Sequence, residues 1–311
     1  PRSTLNHVPN SIAFRPGDPD NLYILIPSNT TTGEADEIWG FRPERLLSAA
    51  LLKLDLTRLP SGRPLDAQTS MSLSVINAAD PNSPTMADGT YNPYAKDAPL
   101  TIYASGIRNG YDLAWHSNGL LYVPVNGGNE NGSAPASVAG TRRPNGSYYS
   151  GPEIPQIDGI EAQRDFLLRI NPRRPVGYFG HPNPLRGEYV LNRGSRDTAM
   201  YPARTRPDRN FTGFAYDFGL SFSPNGIIEY QSKGALRGVL LVTRFINGDD
   251  IIALVPSRRG RIRYAQVGIP GFTGFGDPLD LVEDTKTGRL YVSDFATAEI
   301  VLLEPVRRDG K

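Results

Sequence analysis

Short apolar stretches of four to eight residues, rich in Val, Ile, Leu, Tyr and Phe, alternate along the chain with Gly, Pro, Asn and Asp turn signals. Helical spacing is nearly absent, so the pattern predicts an all-β fold. One unit recurs at 11–25, 112–123, 219–230 and 279–293: an apolar strand, a tight turn usually carrying Gly or Asn-Gly, and a Leu/Ile-rich strand with a Tyr. Each copy reads as a β-hairpin. The one helical candidate is 43–56, where Leu46, Leu47, Ala50, Leu51 and Leu54 could share a face; the same run reads equally as a buried strand over 50–56.

Further strands near 52–56, 166–170, 239–254 and 299–303 follow these hairpins, which points to the four-stranded blades of a β-propeller, with a β-sandwich as the alternative. Three segments, 60–99, 127–163 and 172–213, are dense in Pro, Gly, Asn, Asp and Arg and do not read as strands. They are expected to be long insertions on the top or bottom face, where loops carry sites or interfaces. About four blades are legible. The chain opens on Pro1-Arg2-Ser3-Thr4, just ahead of a strand pattern. The expectation is a single propeller domain over 1–311, completed by N-terminal blades from an upstream segment or a protein partner.

Charge and composition then remove several function classes. Lys plus Arg number 33 against 32 Asp plus Glu, interspersed, so the clustered basic excess that phosphate contacts need is missing and a nucleic-acid partner is not expected. No apolar run approaches the roughly 20 residues of a membrane-spanning helix. Zero cysteine excludes disulfides, thiolate nucleophiles and Cys-type metal sites. Only His7, His116 and His181 remain for acid–base work, and no two have metal-ligand spacing. His116, at a strand-turn position, reads as structural. Asp249-Asp250 follows Asn247-Gly248 and reads as a hairpin turn. Asn29, Asn131, Asn145 and Asn210 head Asn-x-Ser/Thr sequons, a mild pointer to secretion.

The run Ile102-Tyr103-Ala104-Ser105-Gly106-Ile107-Arg108-Asn109, the hairpin at 112–123 and the Asn126-Gly127-Gly128 turn after it resemble the glucose/sorbosone dehydrogenase family of soluble quinoproteins. Ser223-Pro224-Asn225-Gly226, the strand at 238–242 and the stretch 271–294 resemble that family's later blades. The resemblance implies a six-bladed, extracellular or periplasmic propeller that binds pyrroloquinoline quinone (PQQ) beside calcium and oxidises a sugar. It places His7 as general base, a role suited to an imidazole of near-neutral pKa. Arg108 and Asn109 fall where the family holds the quinone, with His181 near the same face. The backbone carbonyls of Gly127 and Gly128 fall where calcium is coordinated, as a hard cation prefers. The chain departs from the family at Asn6, where an aspartate orients the base, and at Asp277 and Leu279, where two arginines clamp the cofactor. Two functional expectations follow. One is a PQQ-dependent sugar dehydrogenase domain. The other is a propeller that keeps the scaffold without the chemistry and serves, through its long loops, as a binding or structural module of an extracellular assembly, with sugar or polysaccharide as partner.

Overall fold

The structure is a computed structural model that describes residues 7, 9–174 and 176–306. Its regular elements are almost all antiparallel strands, as expected from the pattern. The chain divides into two compact units: one of Pro1–Gly110, Gly127–Gln163 and Arg173–Gly213, the other of Tyr111–Asn126, Arg164–Pro172 and Phe214–Lys311.

The first unit contains one four-stranded sheet, Ile12–Arg15, Asp18–Ile26, Ala50–Asp55 and Leu100–Ser105, in that spatial order. The ambiguous 43–56 run therefore resolves into a strand. Ala50, Leu51 and Leu52 are buried on both faces of the sheet interior, which explains why their apolar run lacks alternation. Helix cannot extend back from there, because Ala49 sits at φ 50° and its N–H bonds the Pro27 carbonyl.

The segments expected to be surface insertions are packed instead. In 60–99 a short helix, Leu73–Asn77, forms, and the Tyr91 hydroxyl both donates to and accepts from the backbone of Leu100, tying the segment to the sheet. The other two segments supply a second core of Tyr149, Ile154, Ile157, Tyr189, Leu191 and Tyr201 around a two-stranded ladder, Gly132–Ala134 with Ile157–Ile160. Buried backbone that makes no ladder leaves carbonyls to satisfy. Arg186, fully buried, meets those of Leu46, Ser48 and Ala49 and also pairs with Glu188. Arg143 and Asp208 pair through two bonds of 2.8 and 2.6 Å, both side chains buried. Part of the Arg and Asp content of these segments thus cross-links the core.

The second unit is built from regular sheets. Phe214–Leu220, Arg164–Ile170 and Leu121–Asn126 lie side by side, with Ala114–Trp115 on the last of these. Pro224–Glu229, Leu240–Arg244, Asp250–Pro256 and Ile262–Gln266 form a four-stranded sheet, and Pro278–Asp284, Arg289–Asp294 and Glu299–Leu303 a three-stranded one. Their cores are apolar, with Ile227, Leu240, Val242 and Ile252 in one and Leu241, Ile251, Leu290 and Val292 in another.

Three of the four expected hairpins form. The third does not: Phe214–Leu220 pairs with Arg164–Ile170, while Pro224–Glu229 joins the next sheet. Ser221 and Ser223, at φ 58° and 46°, turn the chain between sheets, and one Asp165 oxygen accepts from the N–H groups of Phe222 and Ser223. Asn225-Gly226 is inside a strand, where a side chain on Gly226 would meet Asp280 at 2.6 Å. That glycine serves close approach, not a turn.

Candidate functional site

Residues 27–48 carry the residues on which the site is built. The Asp36 carboxylate accepts from the backbone N–H of Thr31 and of Trp39, at 2.8 and 3.0 Å, and so fixes the Trp39 ring relative to the Thr30-Thr31-Thr32 run. His7 lies on that ring with centroids 4.1 Å apart, and the Arg108 guanidinium stands 6.0 Å from it. His7, Arg108 and His181, widely spaced in sequence, are all buried in the first unit.

His7 Nδ1 is 3.2 Å from the Ser28 carbonyl, which can only accept, and 3.3 Å from the Ser28 hydroxyl, whose own hydrogen goes to the Thr30 carbonyl at 3.0 Å, so Nδ1 carries the proton and Nε2 is left as the basic nitrogen. Burial and then the Arg108 charge push its pKa down to about 2, with the nearby His181 adding in the same direction. His7 is therefore neutral throughout the physiological range. Asn6, where the family's orienting aspartate is expected, lies outside the described residues.

His181 is anchored by Glu44. Its Nε2 is 3.0 Å from Glu44 Oε1. Burial opposes ionisation of Glu44, but bonds from His181, Ser48 and Thr30 more than offset it and hold the carboxyl below its ordinary range. The Asn29 N–H donates to the same oxygen at 3.1 Å. Burial lowers the His181 pKa despite Glu44. The consistent state is an ionised Glu44 and a neutral His181 donating from Nε2, which leaves Nδ1 as a buried acceptor without a partner among the described residues.

Arg108 donates to backbone: Nε to the Thr31 carbonyl at 2.9 Å and Nη1 to the Gly127 carbonyl at 2.6 Å. Gly128 is held against Thr31, where a side chain would meet the threonine carbonyl at 2.9 Å, and the Gly128 carbonyl accepts from the Gln163 N–H at 2.7 Å. Both carbonyls expected to coordinate calcium are thus engaged by N–H donors, one of them cationic. The residues fit calcium poorly there, because it would sit beside the Arg108 guanidinium with no carboxylate supplied by either glycine. No group of three or more His, Asp or Glu is placed for a metal among the described residues.

A polar organic ligand fits better. Thr31 Oγ1, Thr32 Oγ1 and Asn109 Oδ1 are buried without partners among the described residues, and Asn109 directly follows Arg108 in the short strand Asn109–Gly110. The two hydroxyls and the Arg108 charge suit an oxygen-rich anion such as PQQ, while Asn109 Oδ1 can accept from an N–H or O–H of the ligand. In the second unit, Asp277 and Leu279 bring no positive charge to the positions of the expected clamp; their backbone serves the sheet through Asp294 and Thr243.

Sequence reasoning brought forward His7, Arg108, Asn109 and His181 but missed Trp39, Glu44 and the threonine run. Glu44 had one usable signal: a lone carboxylate between two arginines at the start of an apolar run.

Comparison with solved structures finds the fold. A calcium-bound structure of a Trichoderma reesei carbohydrate-active enzyme of family AA12 superposes with a TM-score of 0.55 at 14% identity, over 97% of this chain and 70% of that one. The PQQ domain of a Coprinopsis cinerea pyranose dehydrogenase, in its holo form, gives 0.53 at 13% identity, covering 97% and 71%. A glucose dehydrogenase gives 0.53 at 15%, covering 98% and 66%. No family model and no curated protein matches the sequence.

Proposed function

We propose that this chain is the catalytic portion of a propeller-type sugar oxidoreductase whose site is the His7–Trp39–Arg108–His181 cluster. The fold shared with structures described as glucose and pyranose dehydrogenases supports this reading, together with the resemblance at 102–128. The observation that carries it is the fixed neutral tautomer of His7 beside Arg108.

PQQ, when bound, supplies the electron-pair acceptor; Arg108, Asn109, Thr31 and Thr32 are the residues that would hold it. His7 Nε2 takes the proton of the sugar hydroxyl, and the Ser28 carbonyl keeps that nitrogen unprotonated beforehand. A base held so low is always available but weak. Arg108 is the second cause of the depression, so an anionic ligand beside it would cancel part of the effect and strengthen His7 when the site is filled. Asp36 positions Trp39, and Glu44 positions His181.

The experiment is a titration of the purified chain with PQQ, with and without calcium, followed by absorbance. Saturable binding that calcium does not alter is expected. A second reading, a propeller that binds saccharide without turnover, is favoured by the commitment of Arg108 to two backbone carbonyls and by Asp277 and Leu279 at the clamp positions. Absence of quinone binding, with saccharide binding retained, would select it.

A further inference from the structure

A cavity with a volume of about 740 Å³ lies in the first unit. Its walls come from 42–47 and 65–69, and the Glu44 side chain between them turns away to His181. Arg42 and Arg45 line it, exposed, and neither guanidinium has a hydrogen bond or ion pair to protein among the described residues. Asn29 lines it as well, 4% exposed. Its Nδ2 donates to the Pro43 carbonyl at 3.1 Å, and its Oδ1 is buried without a partner among the described residues, closed off from the cavity. That burial also removes Asn29 from the sequons a glycan could use in the folded chain.

These groups specify complementary chemistry. Two guanidinium groups without a partner among the described residues call for an anion. Asp66 offers the acceptor for a ligand hydroxyl, with one of its oxygens already taking the Gln68 N–H. Leu47 and Leu65 supply apolar surface for the C–H face of a ring. The volume is within the range of small-ligand sites and exceeds what a single anion needs.

We infer that this cavity binds a polyhydroxylated carboxylate, a sugar acid, through Arg42, Arg45 and Asp66. The ligand is either an aldonate, the acid form of an oxidised monosaccharide, or a uronate within a polysaccharide. The inference does not depend on turnover at His7.

Calorimetric titration of the whole chain at low salt with gluconate, with digalacturonate, with glucose and with inorganic phosphate tests it. One of the two acids is expected to bind at least tenfold more tightly than glucose and phosphate, and which one does so identifies the source. The double variant Arg42→Ala/Arg45→Ala, both exposed and so expected to fold with an unchanged circular dichroism spectrum, should weaken that binding about tenfold or more. Quinone binding should be unaffected in this variant, which separates this site from the His7 cluster. Failure of both acids to saturate, phosphate binding as tightly as the acids, glucose binding equally well, or undiminished affinity in the double variant would each overturn the assignment.

Discussion

The two units solve the same problem with different chemistry. The second satisfies much of its backbone through ladders, with Asp165 and Asp294 capping turns, and fills its sheets with Val, Ile and Leu. The first has one large sheet and buries Arg108, Arg143, Arg186, Glu44, Glu188, His7 and His181, whose side chains do for irregular backbone what neighbouring strands do elsewhere. Where chemistry needs charged and titratable groups at fixed places, irregular backbone cross-linked by side chains can provide them; a regular apolar sheet cannot.

The contrast can be broken most strongly at Arg143. Arg143→Ala leaves Asp208 buried and uncompensated, with an expected loss of about 3 to 5 kcal/mol in chemical denaturation. The double replacement Arg143→Met/Asp208→Leu should recover a large part of that loss. In the second unit, Leu241→Ala, at a fully buried position, should cost about 2 to 5 kcal/mol by cavity formation, with no rescue from any charge change.

Acidity separates the units further. His7 is neutral in the fold near and below its ordinary pKa of 6.5, whereas the unfolded chain takes up the proton, so its contribution is present above pH 6.5 and falls as pH drops. His181 acts in the same direction. Lowering pH from 7 to 5 should cost the first unit about 2 kcal/mol through His7 alone. Asp280, in the second unit, is raised to about 6 by burial and by Asp112, so the folded chain binds its proton first and loses stability as pH rises from 4 through 6. The same acidification should strengthen that unit by about 1 kcal/mol, a value reduced for partial solvent screening. Hydrogen exchange in peptides covering 26–33 and 278–284 should therefore shift in opposite senses between pH 7 and 5. A smaller effect sharpens this: Asp280→Asn should flatten the response at 278–284 and leave 26–33 unchanged.

Legibility followed the regularity of the backbone and cut across the two units. The hairpins at 12–26, 114–126 and 278–294 were readable because a ladder with one apolar set imposes period and turn chemistry on the sequence. The hairpin at 219–230 misled because Asn-Gly serves a turn and a close contact equally well, and only the contact with Asp280 distinguishes them. The packed segments at 60–99, 127–163 and 172–213 were unreadable as core, since a buried Arg186 that bonds three carbonyls leaves no periodic trace. His7, Arg108 and His181 were found through resemblance and chemistry. Glu44 and Trp39 act through partners distant in sequence, His181 and His7, that nothing local announces.

The most direct test of the account is dye-linked oxidation of aldoses by the purified chain loaded with PQQ, run with and without a calcium chelator, for the wild type and for His7→Asn. The account predicts turnover that survives chelation and is lost in His7→Asn while the quinone absorbance of the variant is retained. Quinone-loaded wild type that oxidises no aldose, turnover abolished by chelation, or full activity in His7→Asn would contradict it.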